Sequence, residues 1–258
     1  MSKTIVAHIS VDLDAIASTW FVKRFMPGWH EAQLAFVSAG TTLNNADPDS
    51  NPEIIHVDTG LGQFDHHQLK DIEKQFSATR RVFDHLVKEK HVNHHDHEAL
   101  ERMVNFITSI DHFGELYFHD PKSDLYDFNL HQIIDGFKVV LQADKERCEI
   151  VFHCLDSIFY ILKQKILAEE EMRKGYIFNC KWGKGLAMET KNEEALKQAL
   201  KSDYKVVIKR NPHTGYVRIK SWPISEIDLT PVYEKIMKVD SRATWFLHIS
   251  KNMLLNGS

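Results

Sequence analysis

Cysteine is scarce. The 258-residue chain has only three, Cys148, Cys154 and Cys180. The set is odd and scattered, with no CxxC pair, which argues against a disulfide framework and against finger-type structural zinc. No stretch approaches the ~20 apolar residues of a membrane helix, so no membrane partner is expected. The sequence shows no fixed-period repeat and no low-complexity tract. It also lacks a signal-peptide pattern, since Met1-Ser2-Lys3-Thr4-Ile5-Val6-Ala7-His8 runs straight into strand-like sequence. Together with the few cysteines, this gives the expectation of a soluble protein in a reducing, cytoplasmic compartment. A strong excess of one charge is missing too: 32 Lys+Arg face 36 Asp+Glu, a formal net charge of −4. A general duplex-DNA binder needs a basic field, so stable duplex binding is not expected.

What is present is ordinary globular composition, 43% hydrophobic and 26% charged, long enough for one large domain or two modest ones. The charge is unevenly placed. Residues 1–144 hold 12 Lys+Arg and 22 Asp+Glu, whereas residues 145–258 hold 20 and 14. Thirteen of the 16 histidines precede residue 132. The first part is rich in metal-ligating groups and the second in groups that grip anions.

Hydrophobic pattern and turn signals divide the chain further. A short apolar segment at 4–9 reads as a buried strand, and Asp14 as the N-cap of a helix over 15–25. Strands are expected at 33–37 and 54–57. Ser77 is expected to cap a helix reaching residue 90, followed by a polar connector at 91–97 and a helix over 98–110. Helices are expected at 128–143 and 146–173. Beyond Gly175 the pattern changes to strands at 176–180, 186–188, 205–209, 216–219 and 245–249, with helices at 192–200 and 231–238. The resulting fold class is α/β: a mainly parallel N-terminal sheet flanked by helices (1–144), a helical connector (145–175) and a smaller C-terminal α/β lobe (176–258).

Four polar clusters fall where strands or helices run out. They are His8-Ile9-Ser10-Val11-Asp12-Leu13-Asp14, His56-Val57-Asp58, Phe64-Asp65-His66-His67-Gln68 and Ile110-Asp111-His112. A cap accounts for Asp14 and a turn for Asp58, but neither explains the whole set. Two neighbouring divalent cations need several carboxylates, one of them bridging, together with neutral imidazoles. Such a pair, ~3.5–4 Å apart, holds a hydroxide nucleophile and neutralises a phosphoryl group.

In their order and spacing, His8-x3-Asp12-x-Asp14, Asp58, Asp65-His66-His67 and Asp111 resemble the motifs of the DHH phosphoesterase superfamily. The superfamily includes RecJ-type exonucleases, oligoribonucleases and family II inorganic pyrophosphatases. Phe64-Asp65-His66-His67-Gln68 is most similar to the branch typified by the melanocyte-proliferating-gene exonuclease. The resemblance covers residues 5–112 and is loose beyond them. It implies that His8 and Asp12 hold one cation, that Asp14, His66 and Asp111 hold the other, and that Asp58 bridges them. His67 would lie near the scissile phosphate, with Asp65 orienting an imidazole. Asp120 and Asp124 lie close enough in sequence to compete with Asp111. The family's glycine-rich stretch with a histidine is matched only by His248-Ile249-Ser250 and Asn256-Gly257-Ser258, which makes His248, Asn256 and Gly257 substrate-binding candidates.

The implied activity is hydrolysis of phosphodiester bonds in short single-stranded oligonucleotides or small nucleotides. The expected cofactors are two Mn²⁺ ions, with Mg²⁺ or Co²⁺ as alternatives. A manganese-dependent pyrophosphatase, a non-catalytic nucleotide-binding module and a histidine-rich metal store using 91–97 are the competing readings. Arg80 and Arg81, at a helix start, suit either a solvated face or a phosphate clamp. Lys209-Arg210 and Arg218 to Trp222 flank a hairpin, where Tyr216 and Trp222 suit base stacking or a guarded sheet edge.

Overall fold

The computed structural model describes residues 3–69 and 76–256. The chain divides into two compact units, Met1–Tyr160 and Ile161–Ser258. In the first unit, β1 (Thr4–His8) is the central strand of a parallel sheet, between β2 (Gln33–Val37) and β3 (Ile54–His56). Ile5, Val6 and Ala7 are consecutive apolar residues and all are buried, as expected of a strand covered on both faces.

The helices of this unit are α1 (Leu13–Phe25), α2 (Ala78–Lys88), α3 (His94–Asp111), α4 (Leu130–Val140) and the first part of α5 (Asp144–Lys174). From Leu13 to Val22, α1 is buried on every side, and it packs on α2 and α3. Trp20, Phe21 and Phe25 meet Phe83 of α2 and Phe159 of α5, mostly edge to face, with ring centroids 5.0–6.2 Å apart. The Trp20 indole N–H donates to Asp156 at 2.8 Å, and the Arg24 guanidinium grips the same carboxylate with two bonds.

The second unit contains β4 (Tyr176–Cys180), β5 (Gly183–Glu189), α6 (Glu193–Lys201), β6 (Val206–Arg210), β7 (Val217–Ser221), α7 (Thr230–Val239), β8 (Trp245–Leu247) and β9 (Met253–Asn256). Its six-stranded mixed sheet has the order β4-β5-β6-β7-β9-β8, in which β5 and β6 are parallel and the other pairs antiparallel. Ala168, Leu186, Met188, Leu196 and Val207 form one core, with residues from α5 and α6. Val206, Ile219, Leu229 and Leu254 form another, against Val232, Tyr233 and Ile236 of α7.

The α/β class and the parallel N-terminal sheet match the sequence pattern. Three local expectations do not. Asp12, not Asp14, caps α1, accepting from Ala15 N–H at 3.0 Å. Asp14 lies one residue inside the helix, so it is free to bond elsewhere. Helix α3 begins at His94, because Asn93 supplies a cap to Asp96 N–H, so most of the expected 91–97 connector is helical. Strand β9 was not anticipated: Met253–Asn256 is too short and too close to the chain end to show alternation, and its pairing with β7 and β8 is a tertiary effect.

Phe21 is fully buried, whereas Tyr117 is 89% exposed. Phe21→Ala is expected to cost about 3–5 kcal/mol of stability, and Tyr117→Ala less than about 0.5 kcal/mol. Urea denaturation followed by circular dichroism separates the two. Equal costs would contradict the packing described.

Candidate metal centre

Acids and imidazoles converge at the carboxyl ends of β1 and β3. His8 is the last residue of β1. Its Nδ1 lies 2.9 Å from Ile9 O, and because a carbonyl only accepts, Nδ1 carries the proton. In the neutral ring this leaves Nε2 as the lone-pair donor, 3.3 Å from Asp58 Oδ2 and 3.7 Å from Asp12 Oδ2. Asp12 spends Oδ1 on the α1 cap and turns Oδ2 to this group.

Asp58 follows β3 with φ at 54°, a left-handed conformation that Asp tolerates better than most residues. Its N–H donates to Phe64 O at 3.0 Å, which closes the loop and brings the Asp65-His66-His67 segment beside it. Asp58 Oδ1 faces the second group. There His66 Nε2 lies 3.4 Å from Asp58 Oδ1, 3.6 Å from Asp111 Oδ2 and 3.8 Å from Asp14 Oδ2. Ligand atoms of His8, Asp12 and Asp58 all lie within 4.8 Å of one another, as do those of Asp14, His66 and Asp111, and those of Asp58, His66 and His67.

These residues fit a cation. Asp58 Oδ1, His66 Nε2 and Asp111 Oδ2 are buried atoms with no hydrogen-bond partner among the described residues. Buried polar atoms are normally paired, so three orphans facing one another point to a missing positive partner. Separations of 3.3–3.8 Å are long for hydrogen bonds. They approach the ~3.0–3.4 Å edge between adjacent donors each ~2.1 Å from one ion. The third group is the weakest. His67 Nδ1 is 2.7 Å from Asp65 Oδ1 and is already committed to that carboxylate.

Without a cation, protons take its place. At His8, burial opposes the charged ring, but the Asp12 and Asp58 carboxylates outweigh it and lift the pKa to about 11. At His66, burial is likewise overcome, by Asp58, Asp111 and Asp14, and the pKa rises to about 9. Burial, reinforced by Asp58 and Asp111, pushes Asp14 well above the carboxylate range. Burial also raises Asp111, to about 6, against the pull of His66. Asp65 moves the other way, to about 2: the cost of its burial is outweighed by bonds from His67 and from Leu61 N–H.

The supports of the site came mostly from outside the motifs. Asp14 accepts from Ala78 N–H at 2.7 Å and Thr79 N–H at 2.9 Å, so the free amides at the start of α2 hold it. Ser77, the α2 cap, bonds Thr108 on α3 at 2.9 Å, one turn before Asp111. Asp144, at the start of α5, accepts from the amides of Ser10 and Val11, both at 3.0 Å, and buried Arg147 bonds it in turn. Ser10 sits at φ 59°, so this clamp fixes a strained loop directly before Asp12. Nothing in the sequence signalled Asp144, since a bond to residues 133 and 134 positions away leaves no local pattern.

Other candidates belong to none of these three groups. The Arg80 guanidinium is engaged by Glu101 at 2.9 Å and Asn105 at 2.7 Å, and Arg81 Nε donates to Gln63 O at 2.7 Å. The Arg80 charge is thus already engaged by groups on α3. Asp120 and Asp124 belong to none of the three groups. His248 and Asn256 lie in the second unit. His248 bonds Ser250 in the turn after β8, and Asn256 ends β9. Gly257 is outside the described residues. Trp222 is half-buried: its N–H donates to Leu200 O, Lys205 covers its ring, and it packs against the core that α7 also covers. The chain matches no protein-family model, and no curated protein matches it.

Two measurements follow. At neutral pH the metal-free site carries protons on His8 and His66, whereas a ligating imidazole must be neutral. Mn²⁺ binding should therefore release protons, detected by calorimetry as a heat that varies with the buffer's ionisation enthalpy. Apparent affinity should climb between about pH 6 and about pH 9, and a flat profile would count against the histidines as ligands. By the same sign, the stabilisation these rings give the metal-free fold is complete below the ordinary histidine value of ~6.5 and is lost as pH rises through about 9 and then about 11. Asp144→Ala should weaken Mn²⁺ binding by about tenfold or more. Unchanged affinity would mean that the loop holds its shape without the clamp.

Proposed function

We propose that the chain is a phosphoester hydrolase working with two divalent cations, in the manner implied by its resemblance to the DHH phosphoesterases. The observation that carries this reading is the Asp58 carboxylate, which turns Oδ2 to His8, its partner in one ligand group, and Oδ1 to His66, a member of the other. His8, Asp12 and Asp58 would hold one ion, and Asp14, His66, Asp111 and Asp58 the other. Mixed imidazole and carboxylate ligands favour Mn²⁺, with Co²⁺ and Mg²⁺ as substitutes. Bound there, such ions supply positive charge against phosphoryl oxygens and lower the pKa of a water nucleophile.

The chain's own residues do the rest. Asp65 accepts a 2.7 Å hydrogen bond from His67 Nδ1–H and so favours the protonated ring. The His67 side chain is 59% exposed, so its Nε2–H can donate to a phosphoryl oxygen or pass a proton to the leaving oxygen. Asp144 and the α2 amides keep Asp12 and Asp14 from collapsing onto other partners. The substrate in this reading is a short single-stranded oligonucleotide or a small nucleotide phosphoester, and the Lys- and Arg-rich second half serves to bind it.

The test is hydrolysis of single-stranded di- to pentanucleotides by purified protein with Mn²⁺, Mg²⁺ or Co²⁺, and with none. Metal-dependent release of mononucleotides is expected, and Asp58→Asn should lose at least ~100-fold in rate while keeping its circular dichroism spectrum. Absence of cleavage with all three metals would overturn the reading. Turnover of pyrophosphate alone would convert it to a pyrophosphatase.

A further inference from the structure

In the second unit, strand pairing lines up one residue from each of five adjacent strands. Met188 pairs with Lys209, Lys209 with Arg218, Arg218 with Leu255, and Leu255 with Phe246. Directly paired residues point to the same face of a sheet, so these side chains form one continuous row. The row passes from cover into the open. Met188 lies in the core with residues of α6, Lys209 is 4% exposed, Arg218 is 43% exposed and Phe246 is 56% exposed. A cavity of about 430 Å³ opens on this face, with Tyr216 and Trp245 also in its lining. That volume falls in the ~300–1,000 Å³ range of small-molecule pockets.

The chemistry of the cavity is unbalanced. Lys209 and Arg218 bring two positive charges side by side, and Glu193 at the start of α6 bonds both through its two oxygens. One carboxylate thus faces a pair of cations, one of them almost fully buried. A phosphate, with up to two negative charges and three free oxygens, matches the pair better. Tyr216 and Phe246 are half exposed and offer ring surface beside it.

We infer that the second unit carries its own seat for a nucleoside monophosphate, formed by Lys209, Arg218, Tyr216 and Phe246, with Glu193 occupying the phosphate position in the unliganded chain. The Glu193 side chain is 62% exposed and can swing into solvent when the ligand arrives. It acts as an internal competitor: apparent affinity is reduced by the fraction of time the carboxylate holds the cations. The seat deepens the proposed role of the second half in binding nucleotide and in that sense rests on that reading, but it uses no metal.

The experiment is calorimetric titration of the full chain with AMP in EDTA, with inorganic phosphate as the second probe. Wild type should bind AMP, and Glu193→Gln should bind it about fivefold tighter or more. Arg218→Gln should weaken binding by about tenfold, with circular dichroism confirming its fold. Tyr216→Ala should weaken AMP but not phosphate. The inference is overturned if neither wild type nor Glu193→Gln binds AMP, if Glu193→Gln binds no tighter than wild type, or if phosphate binds as tightly as AMP. Because EDTA removes divalent cations, these outcomes are separate from those of the hydrolysis assay.

Discussion

Asp12, Asp14, Asp58 and Asp111 are crowded around two imidazoles, and all but Asp12 are largely shielded from water. Like charges at such distances repel, and removing them from water makes the repulsion worse. The metal-free chain meets this constraint by taking up protons, which is why both histidines and two of the acids shift upward. A cation satisfies the same constraint with fewer compromises, because it leaves every carboxylate ionised and supplies the orphaned atoms with a partner. The surrounding structure is arranged to keep this costly gathering in place.

The arrangement rests on helix starts. Asp12 caps α1, Asp14 is held by the first amides of α2, and Asp144 sits in the first turn of α5. Each helix start offers unpaired N–H groups and a partial positive charge, which offset acid crowding without using up a lysine or arginine. The aromatic cluster around Trp20 and Phe21 locks α1 against α2 and α5, so the two acids at the head of α1 inherit the rigidity of the core.

Much of this could be read from the sequence, for identifiable reasons. His8, Asp12, Asp14, Asp58 and Asp111 lie at or next to the ends of strands or helices marked by hydrophobic runs, whereas His66 reaches the cluster through the loop that Asp58 N–H closes on Phe64 O. The exact duties of neighbouring acids were harder. Asp12 and Asp14 both suit a cap, and only the tertiary approach of α2 decides which one is used. Asp144 was invisible for a related reason, and so were Glu193 and Phe246, which join the hairpin residues Lys209 and Arg218 only through contacts between residues far apart in the chain. Trp222 stayed open between a stacking platform and a structural residue, because only its contacts with Leu200 and Lys205 show which duty it has.

The two sides of the acid cluster differ in access. Asp12 is 47% exposed, whereas Asp14 is sealed beneath α2 and Asp111 is mostly covered. Under a two-ion reading the seats are therefore kinetically unequal. An occupant near Asp12 would face the bulk directly, while its neighbour against Asp14 would be covered. Such a centre keeps one resident and rotates the other, and its dependence on supplied metal would reflect only the looser half.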